Sequence, residues 1–416
     1  MYNKTAKQLR DAVHSGELTA TAIATYFLER TKTLDHDIGA YIALHDNVLE
    51  QAKRIDEKKA RGESLGKLAG VPIGIKDNIN IKGETTTCAS KFLENYNALF
   101  DATVITSLRN EDAIFMGKMN MDEFAMGSAT ETSAFLQTRN PWATDCVAGG
   151  SSGGPAAGVA ARFCPLSLGS DTGGSIRQPA SYTGTYGFKP TYGRVSRYGL
   201  VAFGSSLDCI GPFANSIEDI ALCMEVLANH CSHDATSLSQ DHEPFLDRLN
   251  DPIGGKKVGV PWHLFDDLHG EIRDAFLSQI ERMKERGIEI VDVDLKMSKY
   301  AIPVYYIIST AEASTNLARF DGVQYTKRVE TETLDELYDL SRDAGFGSEV
   351  KKRILLGTYV LASGYQDAFY NKARKVRTLV IDEFNAAFKK CDVIALPTAP
   401  TLPFPHGSIV DAAEMH

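Results

Sequence analysis

The chain has 416 residues, of which 43% are hydrophobic and 24% charged, a composition typical of a folded globular protein and not of a disordered chain, a collagen or a coiled coil. Its 44 basic and 54 acidic residues give a formal net charge of −10, and such a field repels nucleic-acid phosphates. Seven cysteines without a C-x-x-C pair favour free thiols in a reducing compartment over a zinc site or a disulfide framework. Because we find neither a signal-peptide pattern nor an apolar stretch of membrane-spanning length, we expect a cytoplasmic protein without a membrane partner.

The first 65 residues show the pattern of solvent-facing helices. Apolar residues at helical spacing predict helices over residues 6–13 and 20–33, and the charged run 50–61 predicts a third. We expect residues 1–65 to form helices that cover a domain beginning at residue 66.

From residue 68 onward, short apolar runs alternate with helical patterns. This alternation is typical of an α/β fold in which helices cover both faces of the sheet. We find no repeat and no linker that splits the chain, so residues 66–416 are expected to form one domain. The predicted strands are 71–76, 113–118, 165–170, 257–261, 288–293 and 393–398, and the predicted helices are 103–110, 155–162, 217–229, 271–285 and 365–390.

The glycines are unevenly distributed, with 14 of the 34 between Gly149 and Gly211. A phosphate-binding loop fits this window poorly, because it has no Gly-Lys-Ser/Thr ending and no G-x-G-x-x-G pattern. A flexible linker also fits poorly, since the segment that begins at Gly149 runs into an alanine-rich helix. We therefore interpret the window as the loops of a functional site.

Within this window, Ser175 follows a Gly-Gly pair and is a candidate nucleophile. The backbone N–H groups of Thr172, Gly173 and Gly174, together with that of Ser175, can converge on one point, as an oxyanion requires. A serine nucleophile needs a base, usually a histidine, but the window contains none. Either a distant histidine folds in, or the base is Lys76, whose pKa burial would lower; alternatively, Lys76 extends from its strand end to solvent.

Three further side chains receive structural interpretations. Asp171 is one of only two acidic residues in the glycine-rich window, and we interpret it as a buried carboxylate that orients the loop. We interpret Cys88 and Cys209 as small core residues and not as reactive thiols.

Several long motifs together indicate a family. They resemble the amidase-signature family, and residues 187–203, 319–323 and 345–350 are similar to its tRNA-dependent amidotransferase branch. The resemblance implies an amidase-signature fold, a large mixed β-sheet covered by helices on both faces. The motifs common to the family are 71–79, 87–90, 120–128, 140–142 and 149–212.

The same resemblance implies a set of site residues and no metal site. Ser175 would be the nucleophile, Ser151 the proton bridge after a cis Gly150–Ser151 bond, and Lys76 the ultimate base. Ser175 would attack the side-chain amide of glutamine, release ammonia and leave a glutamyl ester for hydrolysis. Arg353 suits the α-carboxylate of glutamine because a guanidinium can bind it through two hydrogen bonds, although its sequence context alone favours a solvated helix charge. The implied substrate contacts are Met126, Ser128, Ser152, Tyr306 and Arg353.

The resemblance also implies partners. The chain would be the glutaminase subunit of an enzyme that converts Glu-tRNA(Gln) to Gln-tRNA(Gln), with Asp-tRNA(Asn) as a second candidate substrate. A B subunit would receive the ammonia through a tunnel, bind ATP and Mg²⁺ and make most of the tRNA contacts, and a small C subunit would complete the heterotrimer. No cofactor is expected in this subunit itself.

In the family the chain continues beyond the motif at residues 395–401 with further strands and an aspartate for the glutamine α-amino group. We therefore expect the C-terminal part of the domain to be truncated at residue 416. Two other functions stay open: a stand-alone amidase that acts on small amides, and a truncated, non-catalytic scaffold that still binds the partner subunits.

Overall fold

The computed structural model describes residues 1–240, 243–266, 268–325 and 327–409. The helices are α1 Ala6–Ser15, α2 Ala20–Ile38, α3 Val48–Ala60, α4 Thr103–Asn110, α5 Gly153–Ala160, α6 Arg177–Thr183, α7 Ile217–Leu227, α8 Gly270–Glu285, α9 Ala301–Asn316, α10 Leu334–Gly345, α11 Ser348–Leu361 and α12 Lys372–Ala387. The strands are β1 Tyr41–Leu44, β2 Pro72–Lys76, β3 Ile114–Met119, β4 Arg139–Asn140, β5 Ala143–Val147, β6 Leu166–Asp171, β7 Tyr186–Gly187, β8 Cys209–Ala214, β9 Lys257–Val260, β10 Glu289–Asp292 and β11 Val393–Ile394.

The chain divides into two compact units. The first contains residues 1–249, 315–352 and 404–416, and the second contains residues 250–314 and 353–403. The boundary between covering helices and main domain at residues 65 and 66 stays a prediction.

A six-stranded sheet organises the first unit. Its strands lie in the order β1-β3-β2-β6-β8-β7. The central strands β3, β2 and β6 are parallel, whereas β1, β8 and β7 run antiparallel to their neighbours. The predicted α/β fold with a large mixed sheet is therefore confirmed.

Each face of this sheet carries an apolar core, because successive side chains of a strand point to opposite faces. In β3, Phe115 belongs to one core, and Ile114 and Met116 belong to the other. The first core is completed by α4 and α7. The second is completed by α1, α2, α3, α5 and α6, so helices cover both faces, as predicted.

The strands nearest the site agree with their predicted ranges to within one residue, and α4 has its predicted bounds. Strand β1 was not predicted: it has only four residues and follows the αL cap Gly39, so its pattern is too short to separate it from the helix. The predicted helix over 365–390 instead begins with a π-helical turn, Asp367–Asn371. The predicted strand over 393–398 ends at Ile394, because Pro397 has no N–H for a sheet ladder.

The second unit contains a small parallel sheet in the order β10-β9-β11. Val258 and Val260 of β9 pack with Ile280 of α8 in one apolar cluster. Val293 packs with Ala387 of α12 in another. In the residues that the structure describes, no helix combines the length and the apolar character needed to span a bilayer.

Gly154, at the start of α5, gives a test of the close packing around the site. A Cβ atom there would lie 2.4 Å from the carbonyl oxygen of Asn120 and 2.6 Å from that of Ala40. We expect Gly154→Ala to lower the free energy of unfolding by about 1–3 kcal/mol, because backbone atoms must move to admit the methyl group.

Urea unfolding measures this change, and Gly254→Ala is the control, because a Cβ atom at Gly254 has no neighbour within 4 Å. An unfolding midpoint of Gly154→Ala equal to that of the control would contradict the packing described here.

Candidate active site

The site lies at one edge of the large sheet, where two parallel strands end. Lys76 is the last residue of β2, and Ser170 and Asp171 are the last residues of β6. The two strands are paired in register, with Ile75 opposite Leu168. Because the carboxyl ends of parallel strands meet at the same edge of a sheet, these three residues lie at the same edge.

Lys76 is the centre of a buried hydrogen-bond network. Its side chain is fully buried, and Nζ lies 2.8 Å from Ser151 Oγ and 2.8 Å from Ser152 Oγ. A third hydroxyl, Ser170 Oγ, lies 3.0 Å from Nζ and also accepts a hydrogen bond from Asn78 Nδ2 at 2.9 Å. The alternative in which Lys76 extends to solvent is wrong.

Burial changes the acid–base behaviour of Lys76. It lowers the pKa of the amine from 10.5 to about 7, although the carboxylates of Asp122, Asp171 and Asp208 pull it upward. Desolvation disfavours the charged ammonium, and the three serine hydroxyls can hydrogen-bond either form. A large fraction of the amine is therefore neutral at pH 7 and can accept a proton.

The loop that carries Ser151 connects Lys76 to the segment of Ser175. The peptide bond between Gly150 and Ser151 is cis, as the family resemblance implies. The Ser152 N–H donates to the carbonyl oxygen of Ser175 at 3.2 Å. Ser151 is fully buried, whereas Ser175 is 9% exposed. A proton relay from Ser175 through Ser151 to Lys76 stays a prediction.

Asp171 shapes the loop that contains Ser175. Its carboxylate accepts hydrogen bonds from the N–H groups of Gly174 and Ile176 at 2.8 and 3.1 Å and forms an ion pair with Arg177 at 2.9 Å. Burial raises the pKa of Asp171, but the hydrogen bonds and charge of Arg177 outweigh burial and hold that pKa below its ordinary value. The interpretation of Asp171 as a buried, loop-orienting carboxylate is confirmed.

The loop structure affects the backbone N–H groups that the sequence predicts as oxyanion donors. The Gly174 N–H is bonded to Asp171 Oδ1, so it is not free to bind an oxyanion in this conformation. Thr172 is fixed through its side chain, because its hydroxyl donates to Asp208 Oδ1 at 2.6 Å. Burial raises the pKa of Asp208 to about 6. The oxyanion role of Thr172 and Gly173 stays a prediction.

The predicted substrate contacts in the first unit differ in their surroundings. Met126 is fully buried, whereas Ser128 is 9% exposed. The Ser152 side chain bonds within the protein. Its hydroxyl contacts Lys76 and donates to the carbonyl oxygen of Ser170 at 3.0 Å. Ser152 therefore holds the amine, and its hydroxyl does not face solvent.

The other two predicted substrate contacts, Tyr306 and Arg353, belong to the second unit. The Arg353 guanidinium lies 5.4 Å from the centre of the Tyr306 ring, within the range of a cation–π interaction. Arg353 is 2% exposed, so the interpretation of a solvated helix charge is wrong. Their contact with glutamine stays a prediction.

Two residues that the sequence did not single out join the site. Ser170 contacts Lys76, and Gln178 connects the loops of Gly150 and Ser128. Ser170 could have been found from the strand register, because it follows β6 residues that pair with β2. Gln178 gives no such signal, since its partners are backbone atoms of distant loops.

Two cysteines were interpreted from the sequence as core residues. Cys88 and Cys209 are buried, and burial raises the pKa of both thiols, which confirms them as core residues. Among the residues that the structure describes, no group of three or more His, Cys, Asp or Glu side chains is arranged to hold a metal ion.

The segments that form this site lie within a match to a known protein family. The Amidase family model matches residues 22–415. The chain therefore belongs to the amidase family, whose members include the amidase-signature enzymes.

Individual relatives refine this placement. The chain is 53% identical over 418 aligned positions to the A subunit of the glutamyl-tRNA(Gln) amidotransferase of Protochlamydia amoebophila, an alignment that covers 100% of this chain and 86% of that protein. The crystal structure of the A subunit of the glutamyl-tRNA(Gln) amidotransferase from Thermotoga maritima superposes with a TM-score of 0.82 at 38% identity, covering 100% of this chain and 83% of that one. A bacterial aryl acylamidase of the amidase-signature family superposes with a TM-score of 0.86 at 26% identity, covering 97% and 81%.

The pKa of Lys76 predicts a pH dependence for the reactivity of Ser175. If the neutral amine is the proton acceptor, covalent modification of Ser175 by a fluorophosphonate should slow as pH falls through about 7, because Lys76 is then protonated. Above this pH the rate should reach a plateau.

The rate is measured by mass spectrometry of the labelled peptide between pH 5.5 and pH 10, with Ser175→Ala as the unlabelled control. A rate that is still rising at pH 10, as the ordinary lysine pKa of 10.5 requires, would show that burial does not lower the pKa of Lys76.

Proposed function

We propose that this chain is the glutaminase subunit of a tRNA-dependent amidotransferase, in which it releases ammonia from glutamine for the conversion of Glu-tRNA(Gln) to Gln-tRNA(Gln). The observation that carries the proposal is the buried Lys76 amine, 2.8 Å from the Ser151 hydroxyl and with a pKa of about 7. The 53% identity to the A subunit of a glutamyl-tRNA(Gln) amidotransferase supports the choice of substrate.

The first step forms a tetrahedral intermediate. Ser175 Oγ attacks the side-chain carbonyl carbon of glutamine, and its proton passes to Ser151, whose own proton passes to Lys76. The negative charge that develops on the carbonyl oxygen is stabilised by backbone N–H groups of the loop that contains Thr172 and Gly173. Lys76 thus takes the place that a histidine occupies in other serine enzymes.

The second step releases ammonia and restores the enzyme. The tetrahedral intermediate collapses, its C–N bond breaks, and the proton stored on Lys76 returns through Ser151 to the leaving nitrogen. Water then attacks the glutamyl ester while the relay again accepts a proton, and Ser175 recovers its hydrogen. A base with a pKa near 7 suits both directions of this transfer.

Ser152 and Ser170 keep the amine in line with Ser151. Both hydroxyls lie within 3.0 Å of Nζ. Their hydrogen bonds hold the Lys76 amine in one position next to Ser151. In this proposal their contribution is to orientation, and the proton itself moves between Lys76 and Ser151.

The proposal assigns ATP, Mg²⁺ and most tRNA contacts to a B subunit, and a C subunit completes the heterotrimer. The net charge of −10 supports this division, because an acidic chain attracts tRNA phosphates poorly. Arg353, stacked on Tyr306, is assigned to the α-carboxylate of glutamine, and Met126 and Ser128 to its side chain.

Ser175→Ala tests the proposed function. We expect glutamine-dependent formation of Gln-tRNA(Gln), measured with purified B and C subunits, to fall by about 10⁴-fold or more, because no other group can form the ester. Assembly with the partners and ammonium-dependent formation of Gln-tRNA(Gln) should persist. Ser181→Ala, an exposed serine of α6, should leave the activity unchanged.

Three results would contradict the proposal. Glutamine-dependent activity that survives Ser175→Ala would exclude the nucleophile. Ammonia released by the chain alone from small amides, without partners, would favour the stand-alone amidase. Assembly with the partners but no glutaminase activity in the wild-type chain would favour the scaffold.

A further inference from the structure

Gln178 connects three parts of the site with one side chain. It is the second residue of α6 and follows Ser175 by three positions. Its Oε1 accepts a hydrogen bond from the N–H of Gly150 at 3.0 Å, and its Nε2 donates to the carbonyl oxygen of Ser128 at 3.0 Å. Gly150 directly precedes Ser151, so the amide touches both the loop of the proton relay and the loop of a predicted glutamine contact.

The chemistry of these two bonds selects an amide side chain. One partner is a donor and the other is an acceptor, and both are backbone groups whose positions do not depend on their own side chains. A carboxylate supplies only acceptors and a thioether supplies no strong donor, whereas a carboxamide supplies one of each on a single plane.

The backbone approaches Gln178 closely at this point. A Cβ atom on Gly149 would lie 2.5 Å from Gln178 Oε1 and 2.7 Å from Pro179 Cα. A Cβ atom on Gly150 would lie 2.2 Å from Asp122 Oδ2. The Gly149-Gly150 pair therefore lets the relay loop enter the space between α6 and the loop of residues 122–130.

A second bridge holds the same two loops from the other side. The hydroxyl of Thr130 donates to the carbonyl oxygen of Gly149 at 2.8 Å and accepts from the N–H of Gly153 at 3.0 Å. Thr130 thus fixes the relay loop against the loop of Ser128 but has no bond to the segment of Ser175. Gln178 adds that connection, because it belongs to the helix that begins just after Ser175.

We propose that Gln178 is a positioning residue that sets the spacing between the nucleophile Ser175, the relay Ser151 and the glutamine-contact loop at Ser128. The proposal rests on the proposed function, since it assigns Gln178 to the same reaction. The bond to Gly150 governs the alignment of proton transfer, and the bond to Ser128 governs the fit of glutamine. The two bonds therefore act on different kinetic constants.

Two substitutions separate these effects. Gln178→Glu keeps an acceptor for the Gly150 N–H but places a carboxylate oxygen against the carbonyl oxygen of Ser128. We expect KM for glutamine to rise about tenfold while kcat changes less than about threefold, because an unsatisfied acceptor pair is unfavourable. Gln178→Met removes both bonds at similar size, and kcat should also fall about tenfold or more.

The matched control is a second glutamine that binds backbone groups of β3, none of them in the loops of Ser128, Ser151 or Ser175. Gln51 Oε1 accepts from the N–H of Phe115 at 2.9 Å, and its Nε2 donates to the carbonyl oxygen of Phe115 at 3.2 Å. Gln51→Met removes the same two types of bond. It should leave both kinetic constants within twofold of wild type, whatever its effect on thermal unfolding.

The assay is glutaminase activity of the assembled complex, with circular dichroism to show that each variant is folded. The KM-against-kcat split between Gln178→Glu and Gln178→Met supports the proposal. Two results would overturn it. One is that KM and kcat are unchanged in both Gln178 variants; the other is that both variants lose activity equally and by the same amount as Gln51→Met.

Fluorophosphonate labelling of Ser175 keeps this test separate from the proposed function. A wild-type chain that labels at Ser175 but releases no ammonia from glutamine would contradict the glutaminase assignment alone. In that case, the labelling rates of the variants test the positioning role. A rate for Gln178→Met that is about tenfold or more below the rates of wild type and of Gln51→Met supports it. Equal rates in all three proteins overturn it.

Discussion

The hydrogen bonds between the Lys76 amine and three serine hydroxyls are the interaction on which the rest of the site depends. An isolated ammonium group is very unfavourable in a protein interior. Lys76 is nevertheless fully buried, because burial lowers its pKa to about 7 and Ser151, Ser152 and Ser170 satisfy the amine. A serine nucleophile can then operate without a histidine as its base.

Bringing three serines to one nitrogen constrains the backbone around it. Ser170 arrives from the strand that pairs with β2, whereas Ser151 and Ser152 arrive from a loop that must pass between α6 and residues 122–130. At Gly150 and Gly154 a Cβ atom would collide with neighbouring atoms. Close packing of the backbone around the amine therefore accounts for glycine at these two positions.

The sequence predicted the strands and helices that have a clear apolar pattern within their own residues. Strands β2, β3 and β6 and helix α4 have apolar runs bounded by turn residues, and their observed ranges agree closely with the predicted ones. Ser175 and Lys76 were candidates from their local sequence and Ser151 from the family resemblance, and the structure brings Lys76 within hydrogen-bond distance of Ser151. Strand β1 was missed because four residues carry too little periodicity to distinguish a strand from the end of a helix.

The parts that could not be predicted depend on contacts between distant segments. The side-chain amide of Gln178 bonds to backbone atoms of two loops, and no spacing in the sequence indicates this. The Gly174 N–H was interpreted from the sequence as an oxyanion donor. The loop folds back so that this N–H bonds to Asp171 instead, and the sequence does not show that fold. Ser152 was assigned to substrate by resemblance, whereas the structure turns its hydroxyl towards Lys76.

The protonation state of Lys76 in the folded protein is the central claim, and a direct titration tests it. The ¹³C chemical shift of Lys76 Cε, followed by NMR in protein labelled at lysine and assigned by comparison with Lys76→Met, reports the charge of the adjacent amine. The account predicts a midpoint at a pH of about 7. An ammonium that stays protonated up to the ordinary lysine pKa of 10.5 would contradict it, because Lys76 could then not accept a proton at neutral pH.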